Sequence, residues 1–155
     1  MYTKILVPMD GSEIAECVLP TVEWFARVSN VKEIVIVRVV EPLRMRDDLE
    51  LHVIPEQREK IEKDMKKMAE DYCEGIRSKL KSDKATVTAK VLTGKPAEAI
   101  TGLAARDRVI DLIIMATHGR SGIGRLFYGS TASRIIHSAV VPILLVTPRR
   151  RKPEQ

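Results

Sequence analysis

A chain of 155 residues is the length of one domain. At that size, folding buries about 70% of the unfolded surface without help from a metal or a disulfide. Hydrophobic residues at 45% and charged residues at 30% describe an ordinary globular domain, and aromatics at only 4% argue against a site built on base stacking or an aromatic cage. The net charge of +5 lies mostly in the tail, where Arg149, Arg150, Arg151 and Lys152 face only Glu154; the near-neutral remainder lacks the basic face of a nucleic-acid-binding domain.

The first strand is predicted at residues 4–8 (KILVP), nearly continuously apolar. The start of the chain lacks the apolar stretch of a secretory signal. Ser12 then caps a helix whose apolar face is Ile14, Val18, Val22 and Phe25, and Pro20 should kink or split it. A second strand is expected at 33–40 (EIVIVRVV). The connection at 41–55 is long and holds Pro42 and Pro55, as a lid or a plain surface loop would. A long helix follows, with Ile61, Met65, Met68, Tyr72, Ile76 and Leu80 at steps of three or four. Met65 and Met68 read as core packing.

The third strand is expected at 86–92, with polar alternation. Pro96 opens a helix carrying Ala97, Ile100 and Ala104. The fourth strand is expected at 109–116. Ser130 opens the last helix, which carries Ala132, Ile135, Ile136 and Ala139, and the fifth strand is expected at 142–147. The order β-α-β-α-β-α-β-α-β, with continuous apolar strands, predicts an α/β fold: one doubly wound, five-stranded parallel sheet with helices on both faces. Its domain would span 1–148, followed by a basic tail at 149–155. Ligands in such sheets bind beyond the carboxyl ends of the strands, at the switch point.

Cys17 and Cys73 stand far apart in helical segments, and no apolar run reaches 18 residues, so the expectation is a reduced, cytoplasmic protein that spans no membrane. His52, His118 and His137 have no metal-ligand spacing between them, so no metal site is expected.

The chemically informative stretch runs from Ala116 to Thr131: ATHGRSGIGRLFYGST. A strand, a glycine-rich loop and the start of a helix together form a cradle for phosphate, because glycine backbones approach an anion closely and the first helical N–H groups lack partners. The helix dipole adds about 0.3–1 kcal/mol. Gly119 and Gly124 have the glycine spacing of a Walker A loop, but Arg125 stands where that loop needs lysine and Leu126 where it needs a magnesium-binding hydroxyl. The dinucleotide pattern G-x-G-x-x-G is absent as well. A capped helix after a plain loop would share the glycine content.

Over nearly its whole length, the chain resembles the universal stress protein family. The resemblance rests on KILVPMDGSEIAE, on EIVIVRVVEP, and on IIMATHGRSGIGRLFYGSTASRIIHSAVVPILLVTP. The family's nucleotide-binding branch carries G-x2-G-x9-G-[ST]. Here the pattern reads Ala116-x2-Gly119-x9-Gly129-Ser130, so alanine replaces the first glycine, which matters if that position needs a positive φ.

The resemblance implies an ATP or AMP site, with magnesium accompanying ATP and held mainly by phosphate oxygens and water. Pro8 and Met9 would line the base, Asp10 would face ribose or adenine, and Val39 would meet the adenine edge through its backbone. Met115 and Ala116 would lie beneath the sugar. His118, Gly119, Arg120, Gly129, Ser130 and Thr131 would hold the phosphates. It also implies a homodimer through the last strand, at Ile143, Leu144, Leu145 and Val146. The protein would then act as a nucleotide-responsive stress module. The alternatives are a slow ATPase or phosphotransfer enzyme, with His118 the nearest candidate group, and a nucleotide-free protein acting through dimerisation.

Overall fold

The computed structural model describes residues 2–43, 55–117 and 129–148. Most of the connection at 41–55, the loop at 118–128 and the tail at 149–155 lie outside the described residues. The strands are β1 (Lys4–Met9), β2 (Glu33–Val40), β3 (Thr86–Thr93), β4 (Ile110–Ala116) and β5 (Ile143–Val146). The helices are α1 (Glu13–Glu16), α2 (Leu19–Val28), α3 (Pro55–Lys79), α4 (Pro96–Arg106) and α5 (Ser130–Ser138). All strand pairs are parallel, in the order β3-β2-β1-β4-β5. This is the predicted α/β architecture.

The apolar runs explain the order. In β1, Ile5, Leu6 and Val7 are fully buried, which requires cover on both faces. The two-residue strand period sorts them. Ile5 and Val7 join Ile34 and Ile36 in a core under α1, α2 and α3. Leu6 joins Val35, Val37 and Ile113 in a second core under α4 and α5. Each such side chain contributes about 1.5–3 kcal/mol on burial. Strand β3, at a sheet edge, has no buried residue: Thr86, Lys90 and Thr93 are exposed and the others partly buried.

Local signals place the first helices. The Ser12 hydroxyl accepts from Ala15 N at 3.1 Å and caps α1. Pro20 splits the predicted helix in two and sits in the first turn of α2, where its missing N–H is harmless.

Helix α3 corrects one expectation. Met68 is 69% exposed and Ile61 42% exposed, so Met68 does not pack in the core; Met65 is only partly buried. The buried stripe is Ala69, Cys73, Ile76 and Leu80. For Met68 the reason is angle, since at about 100° per residue it lies beside the stripe that starts at Ala69; for the earlier turns it is length. The 25 residues of α3 reach about 37 Å, while the eight of β2 span about 26 Å. Helix α3 starts from the carboxyl end of the sheet, so its first turns overhang that end, and among the described residues the helix buries none before Ala69. Cys73 is fully buried, and burial pushes its thiol up to about 11. Both cysteines are free.

The opposite end of the sheet is closed by polar groups. The Asp111 carboxylate accepts from Thr3 N at 2.7 Å and Lys4 N at 3.1 Å. Lys4 Nζ lies 2.7 Å from Glu33 and 2.9 Å from Asp107. Its hydrogen bonds to Glu33 and then Asp107 hold the ammonium above its ordinary 10.5. Lys4 in turn holds Asp107 below its ordinary 3.8. A lowered carboxylate stabilises the fold above its unfolded pKa, and that stability is lost as pH falls through the folded value. A raised lysine stabilises below 10.5, and that stability is lost as pH rises through its folded value. Urea midpoints should therefore fall on both sides of a neutral plateau. In Asp107→Asn the plateau should drop and the acid limb become shallower; an unchanged acid limb would refute the assignment.

Candidate functional site

Beyond their carboxyl ends β1 and β4 part company. Strand β1 feeds α1 on one face of the sheet, and β4 leads toward α5 on the other. The gap is the switch point, and a cavity of about 460 Å³ opens there. That lies within the range of small-molecule sites.

Nine predicted residues line this one cavity: Pro8, Met9, Asp10, Val39, Met115, Ala116, Gly129, Ser130 and Thr131. His118, Gly119 and Arg120 lie outside the described residues.

Asp10 is exposed at the mouth. Its Oδ1 accepts from Ser12 N at 2.8 Å, so the carboxylate shapes the turn. Oδ2 has no protein donor among the described residues and remains available to a ligand. Gly11 makes the turn possible, with φ at +90°.

Val39 contributes its backbone. The Val40 carbonyl accepts from Gly94 N on the β3 side. Strand alternation therefore turns the Val39 carbonyl toward β1. The β1–β2 ladder ends at Met9↔Arg38, so that carbonyl points past the last paired residue.

Helix α5 closes the cavity from the other face. Gly129 is its N-cap, with φ −47° and ψ 157° and no side-chain capping bond. The first backbone bond of the helix runs from Ser133 N to Gly129 O at 2.9 Å. The N–H groups of Ser130, Thr131 and Ala132 thus lack helical acceptors. All three residues line the cavity. This is a positive, donor-rich end suited to an anion.

Ala116 is the last residue of β4, in extended backbone and in register with Val146. A positive φ is not needed there, so alanine in place of glycine leaves the backbone intact.

Two charged residues in the lining escaped the sequence reading, Arg38 and Glu41. Arg38 had a signal: it is the only charge inside the run IVIVRVV. Ile14 and Ala15 from α1 and Pro96 and Ile100 from α4 complete the apolar walls. Among the described residues, no group of three or more His, Cys, Asp or Glu could hold a metal ion.

An open parallel sheet with a cavity at its switch point, bordered by a helix N-terminus, defines a ligand-binding, doubly wound class of α/β domain. The model of the universal stress protein family matches residues 1–147, and the chain belongs to that family. Universal stress protein MJ0577 of Methanocaldococcus jannaschii is 28% identical over 156 residues, covering 94% of this chain and 95% of its own. The solved structure of MJ0577 superimposes with a TM-score of 0.77 at 26% identity, covering 97% of this chain and 99% of that one. Universal stress protein UspA from Lactobacillus plantarum shares the fold, with a TM-score of 0.76 at 20% identity over 94% of this chain and 97% of its own.

Proposed function

We propose that the chain binds an adenine nucleotide, ATP or AMP, in this cavity and acts in the cytoplasm as a nucleotide-responsive, stress-related module. It would work as a homodimer joined through β5. The observation that carries the reading is convergence on one cavity. The Val39 backbone carbonyl, the Asp10 carboxylate and the N-terminus of α5, none of them filled by another group among the described residues, all meet there.

Their chemistry matches the parts of a nucleotide. An adenine amino group donates to the Val39 carbonyl, with Pro8 and Met9 against the ring. Ribose hydroxyls donate to Asp10, above Met115 and Ala116. Phosphate oxygens accept from the N–H groups of Ser130 and Thr131 behind Gly129, and His118, Gly119 and Arg120 would complete that end. Magnesium would enter with ATP, held by phosphate oxygens and water. Two proteins of this fold bind adenine nucleotides: a universal stress protein in complex with cAMP (TM-score 0.58, 20% identity) and a family member from Arabidopsis thaliana with AMP bound (TM-score 0.55, 15% identity). Among the described residues, no helix is long and apolar enough to cross a membrane.

Mass spectrometry of material released from the purified, denatured protein tests the reading, together with calorimetry against ATP and AMP. The expected result is a bound adenine nucleotide, or saturable binding of one. No release and no heat with either nucleotide would overturn it. Because Arg125 and Leu126 replace the Walker lysine and hydroxyl, turnover should fall far below a typical enzyme's roughly 10 s⁻¹; hydrolysis at that rate would favour the enzyme alternative.

A further inference from the structure

Arg38 is a charged side chain in a strand whose preceding four residues are buried, and it lines the cavity. Its guanidinium is held from two sides. The Tyr72 ring of α3 lies below it, 5.1 Å from Cζ to the ring centroid. Gly11 lies above. A methyl group built on Gly11 would stand 3.0 Å from one terminal nitrogen and 3.1 Å from Cζ and from the other nitrogen. Three nearly equal distances place that point over the face of the guanidinium, not at its edge. Both neighbours restrict the guanidinium, and among the described residues none accepts a hydrogen bond from its N–H groups, which remain to donate.

The clamp is itself supported. Tyr72 Oη reaches Glu16 Oε1 at 3.5 Å, and Lys79 Nζ pairs with Glu16 at 3.0 Å. Among the described residues Arg38 has no carboxylate ion-pair partner, although Asp10 and Glu41 line the same cavity. A planar cation fixed in this way is pre-organised, with little rotamer freedom left to lose on binding.

A fixed donor edge and a carboxylate oxygen with no donor among the described residues, lining one cavity, suit a particular group. A hydroxyl both donates and accepts, and so satisfies both partners. A phosphate would accept from Arg38 but be repelled by Asp10 and Glu41. We propose that Arg38 is a specificity-determining residue of the site: it donates to a ribose hydroxyl that in turn donates to Asp10, and so selects ribonucleotides over their deoxy counterparts. The assignment rests on the nucleotide reading above and deepens it.

The test is a cycle of ligand and side-chain changes read by calorimetry. ATP, 2′-deoxy-ATP and 3′-deoxy-ATP are titrated into the unaltered protein, Arg38→Met and Arg38→Lys. The unaltered protein should prefer ATP to one of the deoxy compounds by about tenfold, the worth of one charge-assisted hydrogen bond. Arg38→Met should weaken ATP by a similar factor, leave that deoxy compound nearly unchanged and erase the preference. Arg38→Lys should restore it only in part, because lysine lacks the clamped planar fork. Tyr72→Leu removes the platform from outside the cavity and should also shrink the preference; it gives a second route should Arg38→Met fail to fold. Equal loss for all three ligands, or a preference that survives both Arg38→Met and Tyr72→Leu, would overturn the role of Arg38 while ATP binding stands. Failure of ATP to bind the unaltered protein would instead overturn the underlying reading, and this assignment with it.

Discussion

Gly129→Asp should weaken ATP binding by at least about a hundredfold and leave the fold as stable as before, or slightly more so. Gly129 has an extended conformation open to any L-residue, so aspartate adds no backbone strain. It is the N-cap of α5 and lacks a side-chain capping bond. Aspartate is a favoured N-cap and bonds the N–H groups at the second or third helical position. Relative to glycine, that gains a few tenths of a kcal/mol, and the dipole adds about 0.3–1 kcal/mol. The same carboxylate occupies the donors proposed for phosphate and repels the ligand's charge. A hundredfold loss is about 2.7 kcal/mol, within reach of losing charge-assisted hydrogen bonds. Thermal melts and calorimetry on one preparation separate the two effects. Unchanged affinity in a stably folded variant would remove the start of α5 from the site.

Leu145→Lys should convert a micromolar dimer into a monomer. Among the described residues strand β5 pairs with β4 along one side only, which leaves its other side as an open edge of the sheet. Ile143, Leu144, Leu145 and Val146 are all partly exposed, with no charge among them. Val140, just before the strand, is 69% exposed. An apolar edge with open backbone groups invites another strand, and a two-fold dimer satisfies both copies with one self-complementary surface. Lysine at Leu145 places a charge at the centre of that surface. Sedimentation of both proteins decides the matter. A monomeric unaltered chain would reject the β5 interface, and so would a dimer that survives in a folded variant.

Much of this was legible because the strands announce themselves. The runs at 33–40 and around 110–116 are apolar enough that only a doubly covered sheet can bury them. Pro20, Pro96 and Ser12 fixed helix starts through chemistry that works locally. Helix α3 was harder. Periodicity identified the helix but not which apolar residues have a sheet beneath them, and Met68 lies beside the true stripe, one residue before buried Ala69. In the site, the glycine pattern and the resemblance pointed to residues that share one cavity. Arg38 was passed over because its partners, Gly11 and Tyr72, lie 27 residues before it and 34 after it in the chain. Only the fold brings both of them against one guanidinium.

The sheet order has a consequence for how the protein is made. Strands β1, β2 and β3 come from residues 4–93 and are joined edge to edge in chain order. Strand β4 must then return to the far side of β1, pairing Leu6 with Ile113 across more than a hundred residues. During synthesis the first three strands can assemble early, but the cavity cannot exist until β4 and α5 have left the ribosome. Its walls come from both sides of that seam: Asp10 and Val39 from the early part, Met115 and Ser130 from the late part. A ligand held there bridges segments that met last, and by mass action it stabilises only the finished chain. Binding would therefore serve as a late staple on folding, and a chain truncated before β4 would be blind to the nucleotide however well its first three strands had formed.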